Sequence, residues 1–104
     1  MIFLKKHAAD QGVILAMCDE ELIGKVLKEG KLFLDLDEYA DFYRGELTSE
    51  QKAQGMVDGE EIYSANVVGE RSVAIMISKG IVGNGEVKRI GKVPFVQVFK
   101  VDVF

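Results

Sequence analysis

Ile62-Tyr63-Ser64-Ala65-Asn66-Val67-Val68-Gly69-Glu70-Arg71-Ser72-Val73-Ala74-Ile75-Met76-Ile77-Ser78-Lys79-Gly80 is two apolar runs divided by a glycine. Ile62 to Val68 has no clear period and fits strand or helix; we read it as extended, after the Asp58-Gly59 turn signal. The second run starts acidic at Glu70, ends basic at Lys79 and stops at Gly80, which describes a helix. Its apolar block Val73 to Ile77 covers most of a helix circumference, so that helix is expected to be largely buried. Its β-branched content leaves a strand as the alternative.

Toward the N-terminus, Ile2 to Lys6 and Val13 to Met17 are short apolar runs joined through Asp10 and Gly12, which predicts an opening hairpin. His7 is expected to end the first strand at the surface. Asp19 precedes Glu20-Glu21-Leu22-Ile23, so a helix is predicted from Asp19 as cap to Gly30 as stop. Leu32-Phe33-Leu34 reads as a third strand. The middle, Asp35 to Glu61, holds 9 carboxylates against Arg44 and Lys52, together with Tyr39, Phe42 and Tyr43, and is expected to be an excursion or mobile segment. Within it Thr48-Ser49-Glu50-Gln51 matches a capping box and predicts a short helix running toward Gly55.

Toward the C-terminus, Asn84-Gly85 predicts a tight turn, Glu86 to Ile90 a strand, and Phe95 to Phe104 a final strand with Phe95, Phe99, Val101 and Val103 on one face. Pro94 lacks an N–H and is expected at a strand start or on an edge. This order lacks the regular alternation of a doubly wound fold. The expected class is α+β: residues 1–104 as a single domain, with a mainly antiparallel sheet and two or three helices.

Composition agrees with a globular core, since 48% of residues are hydrophobic and 29% charged. Apolar runs such as Val73 to Ile77 are far shorter than the roughly 20 residues that cross a bilayer. The N-terminal apolar stretch precedes its lysines rather than following them, unlike a signal peptide, and Cys18 has no second cysteine to pair with. The expected setting is cytoplasmic, with no membrane partner. Net charge is -4, unevenly divided: residues 1–70 carry 7 Lys+Arg against 15 Asp+Glu, whereas residues 71–104 carry 6 against 2. The overall sign opposes bulk binding to nucleic acid, and the last third is locally basic.

The chain carries no strong catalytic, metal or cofactor signature. Cys18 is flanked by Asp19, Glu20 and Glu21, which disfavour a thiolate, and is read as buried and structural. One histidine and one cysteine leave a zinc site two ligands short. Asp35, Glu38, Asp37 and Asp41 begin like a calcium loop but lack its turn glycine, and are read as a solvated acidic face. The most suggestive stretch is Asn66, Gly69 and Arg71, where a glycine entering a helix lets backbone N–H groups approach an anion. The plainer reading is a turn at Gly69 with Arg71 paired to Glu70 or another carboxylate. Lys88, Arg89 and Lys92, near Phe95 and Phe99, form a candidate partner-binding surface.

The string Ala16-Met17-Cys18-Asp19-Glu20-Glu21-Leu22-Ile23-Gly24-Lys25 resembles the archaeal domain-of-unknown-function family 424. Phe42-Tyr43 with Gly45, Ala65 to Arg71 with Val73, and Ile90-Gly91 with Val93-Pro94 and Gln97 continue the pattern in order. The resemblance implies an archaeal cytoplasmic protein of similar length and no assigned activity. It also implies a histidine after the proline, where this chain has Phe95.

Three functional expectations remain. The first is a non-enzymatic binding or accessory module for an anionic partner, with RNA or a ribonucleoprotein as the fitting class. The second is a protein-interaction or homodimer module in which the acidic middle meets the basic third. The third is an enzyme whose groups converge from distant segments.

Overall fold

A computed structural model describes residues 1–100. β1 (Ile2–Ala9) and β2 (Gly12–Asp19) form the expected hairpin, in register from Ile2 opposite Asp19 to Ala9 opposite Gly12. The chain then makes a second hairpin, β3 (Val26–Glu29) and β4 (Leu32–Asp35), followed by a helical turn α1 (Ala40–Tyr43) and β5 (Glu46–Thr48). Next come α2 (Glu50–Met56), β6 (Ile62–Val68), α3 (Glu70–Ser78), β7 (Lys88–Ile90) and β8 (Val93–Phe99). Six strands make one sheet in the order β5-β1-β2-β6-β8-β7, and β3-β4 is a separate two-stranded sheet. The β2–β6 pair is parallel; the other described pairs are antiparallel. The class is α+β, as expected.

Both faces of the large sheet are covered, which explains why β2 is a continuous apolar run instead of alternating. On one face Ile2, Leu4, Leu15, Met17, Val67 and Val96 pack against Ala53 of α2 and Val73 and Met76 of α3. On the other, Ala16, Cys18, Val68 and Phe95 pack under Leu22, Leu36 and Tyr43. Leu27 and Leu34 of the small hairpin close over this second core.

The predicted helix from Asp19 to Gly30 is corrected. Only Glu20–Leu22 turn helically, as one 3-10 turn with no side-chain cap. Ile23 is extended and Gly24 sits at φ 89, a left-handed conformation that stops any helix there and turns the chain into β3. Asp19 does cap a helix, but that helix is α3. The cap of α2 also moves by one position: Ser49 Oγ accepts from Lys52 N at 3.1 Å, while Thr48 is buried in β5. Asn84–Glu86 is a 3-10 turn and β7 begins only at Lys88. His7 lies within β1, not at its end, and is half-buried. Phe95 is buried, but Phe99 on the same face is 64% exposed, because the second core ends short of it. Val101 and Val103 lie outside the described residues. No described helix is long and apolar enough to cross a membrane.

Candidate functional site

Gly69 and Arg71 enter α3 as the sequence suggests, but the helix start already holds a carboxylate. Asp19, 2% exposed, accepts from Arg71 N at 3.1 Å, Ser72 N at 2.9 Å and Ser72 Oγ at 2.8 Å. Three donors and the positive end of the helix stabilise this buried charge. Gly69 is required here: its φ is 112, and a Cβ would overlap the Asp19 carboxylate. Arg71 Nη1 donates to both oxygens of Glu21, at 2.7 and 2.9 Å, lies 3.4 Å from Asp19, and its Nε is 3.3 Å from Glu50. The Glu21 hydrogen bond and charge raise the Arg71 pKa further. Partial burial opposes ionisation of Glu21, but hydrogen bonds from its own main chain and from Arg71 hold its carboxyl below the usual range.

The candidate residues therefore separate. Gly69, Arg71 and Lys92 border one shallow depression of about 350 Å³. Asn66 sits in mid-strand on the opposite face of the sheet, where its Oδ1 accepts from Gln97 Nε2 at 3.3 Å. Arg89 is 3.3 Å from Glu70 and donates to the Lys92 carbonyl at 3.1 Å. Lys88 and Lys92 are exposed and make no ion pair among the described residues.

Asn66 instead forms part of a cleft of about 480 Å³ between the sheet, β4 and α1. Asp35 builds its outer wall: its carboxylate accepts from Asp37 N at 3.0 Å and Glu38 N at 2.8 Å, turning the chain from β4 toward α1. Four consecutive residues, Phe33 to Leu36, line one side, and Tyr39, Phe42 and Tyr43 the other. Phe42 stacks on His7 with centroids 4.6 Å apart and meets Tyr43 edge-on at 5.2 Å. His7 Nε2 donates to the Phe42 carbonyl at 2.9 Å, so ring and main chain are held together. Phe33 and Tyr39 remain 56% and 59% exposed at the mouth. The acidic stretch that surrounds these aromatics was visible in the sequence, but their convergence depends on the β3-β4 hairpin, which the sequence reading took partly for a helix.

Burial, then the charges of Asp19 and Glu21, push the Cys18 thiol up to about 12, so it is protonated at neutral pH. Burial likewise pushes the Tyr43 hydroxyl up to about 12. Among the described residues no group of three or more His, Cys, Asp or Glu is arranged to hold a metal ion. The Asp35 carboxylate is committed to its turn.

The family described as Protein of unknown function (DUF424) matches residues 7–101. The chain belongs to that family. A solved structure described as an uncharacterized conserved protein from Methanopyrus kandleri is 27% identical to this DUF424 chain. The similarity covers 99% of this chain and 96% of that one, with a TM-score of 0.79. No curated protein matches. The position for which the resemblance implied a histidine, Phe95, lies in the second core beside Val68 and Ile90.

Proposed function

We propose that this protein is a non-catalytic binding module that holds a protein partner in the aromatic cleft between β4 and α1. The observation that carries the reading is the exposure of Phe33 and Tyr39 at the mouth of a cleft walled by Phe42 and Tyr43. Exposed aromatics beside a formed apolar cavity are the usual anchor points of recognition surfaces. The lining sets the partner's charge: its two charged residues, Asp35 and Glu38, are both acidic, and the seven residues from Asp35 to Asp41 contain no lysine or arginine. Such a lining favours a basic segment and repels phosphate. The setting is the archaeal cytoplasm, where a lone buried Cys18 stays reduced.

A photo-crosslinking residue at position 39 tests this, with position 86, exposed in the turn before β7 and outside the cleft lining, as control. A partner captured from position 39 is then purified, and its binding is measured against wild type and the Phe33→Ser/Tyr39→Ser double variant. Loss of about tenfold or more in affinity is expected. Equal affinity for both proteins would remove the cleft from the interface.

A second reading, recognition of RNA or a ribonucleoprotein through the basic third, is favoured by one observation: Lys88 and Lys92 are exposed and make no ion pair among the described residues. It predicts salt-sensitive RNA binding that is lost when Lys88, Arg89 and Lys92 are neutralised together. The homodimer reading makes a second copy the basic partner, since residues 71–104 carry the excess of Lys+Arg. Sedimentation in dilute salt separates it from a heterologous partner.

A further inference from the structure

Phe33 to Leu36 all line the cleft, although in a strand successive side chains point to opposite faces. Phe33 to Asp35 lie in β4 and Leu36 just past its end, so a cavity touched by three consecutive strand residues runs along the strand's edge rather than over one face. β4 pairs with β3 on its other side, and among the described residues no strand pairs with the edge that borders the cleft.

The direction of the peptide groups follows from the hydrogen bonds at the base of the hairpin. Leu36 N donates to Lys25 O at 2.8 Å and Gly24 N donates to Leu36 O at 2.8 Å, so the Leu36 main chain faces the β3 side. Alternation then gives the Leu34 main chain to β3 and turns Phe33 and Asp35 toward the cleft. The Asp35 carbonyl accepts from Tyr39 N at 3.3 Å. The Phe33 N–H, the Phe33 carbonyl and the Asp35 N–H remain as a ladder edge. Phe33 and Asp35 line the same cavity as Phe42 and Tyr43.

We infer that the cleft binds its partner by strand addition: an extended segment of a protein partner pairs with the β4 edge and drops alternate apolar side chains between β4 and α1. The inference rests on the cleft being a protein-binding site, as proposed above. An extended chain is the occupant that satisfies this edge, because it offers main-chain donors and acceptors at the strand's own repeat. The segment should be basic at positions facing out of the cavity, where Asp37 and Glu38 lie exposed. A small apolar ligand would fill the cavity but leave the Phe33 peptide groups unpaired. RNA would bring phosphates against Asp35 and Glu38, the two carboxylates that line the cleft.

The experiment selects peptides of about ten residues from a random displayed library on the immobilised full chain, and synthesises the enriched sequences with and without N-methyl groups at alternate positions. Amide hydrogen exchange and chemical shifts are read at Phe33, Asp35, Tyr39 and Phe42. Phe33→Pro and Phe33→Ala are compared, since proline is tolerated where an N–H points away from the ladder. Strand addition predicts alternating apolar and basic residues in the enriched peptides, slower exchange at Phe33, and about tenfold weaker binding on N-methylation in one register only. It also predicts about tenfold weaker binding to Phe33→Pro than to Phe33→Ala. If Phe33→Pro does not fold, the direction assigned to its N–H is wrong and the inference falls. Peptides that shift Tyr39 and Phe42 but tolerate N-methylation in both registers overturn strand addition and leave the cleft as a docking site. Enrichment of nothing, or of peptides binding elsewhere, overturns both.

Discussion

Asp19 joins two parts of the chain far apart in sequence. Its carboxylate is 2% exposed and satisfies the first N–H groups of α3 together with the Ser72 hydroxyl. Asp19→Ala would leave those donors buried and unpaired. We expect a loss of about 3 kcal/mol in urea unfolding, well above the cost of an ordinary surface substitution. Two other buried groups set an alkaline limit. Cys18 moves from its ordinary 9.0, and Tyr43 from 10.0, each up to about 12. Both bind their proton more tightly folded than unfolded. The stability they contribute is fully present below about pH 9 and is lost as pH rises through about 12. Denaturant midpoints measured from pH 8 to 11 should therefore fall, and Cys18→Ala with Tyr43→Phe should flatten the decline.

Among the elements, the β3-β4 hairpin differs from the rest. It pairs with no strand of the large sheet, and Val26, Leu32 and Phe33 stay exposed on it. Hydrogen exchange should separate it from β2 and β6: amides of the central strands exchange only on global unfolding, and those of the hairpin through a smaller opening. Equal protection of both would show that the hairpin opens only with the whole fold. The same element explains what could be read from the chain. The opening hairpin, β6, α2 and α3 were legible because short apolar runs bounded by turn residues, a serine-threonine start and the Glu70-to-Gly80 polarity are local signals. The segment from Glu20 to Glu29 was not, because Asp19 looks like a local cap while its partners lie at Arg71 and Ser72. The same limit applied to the candidate residues. Asn66 and Arg71 are close in sequence, yet strand alternation and the turn at Gly69 put them on opposite sides of the sheet. The aromatics of the cleft were visible as a group, but nothing local revealed that β4 would face them.

The molecule is a six-stranded sheet with a core on each face and a separate two-stranded hairpin over one of them, and the order of the large sheet is unusual at the centre. β2 and β6 lie side by side in parallel, yet everything from Glu20 to Glu61 runs between them. Closing so long a loop costs entropy before the pairing compensates it. Folding should therefore be slow for a chain of this size. If Asp19 meets α3 as the loop closes, Asp19→Ala will slow folding rather than speed unfolding in a chevron measurement. An effect confined to the unfolding limb would place that contact after the rate-limiting step. The two edges of the sheet, β5 and β7, are three residues each, which limits edge-to-edge association.

Cys18 also has a use as a clock. It lies under Leu22, Leu36 and Tyr43, so reagent can reach its sulfur only when the cover of the second core lifts. Labelling at neutral pH should proceed at the rate set by that lifting, many times slower than in unfolded chain. A peptide seated along β4 would tie the cover down and lengthen the interval. If the cleft binds as proposed, a single unreactive thiol serves as a timer for whether it is open or filled.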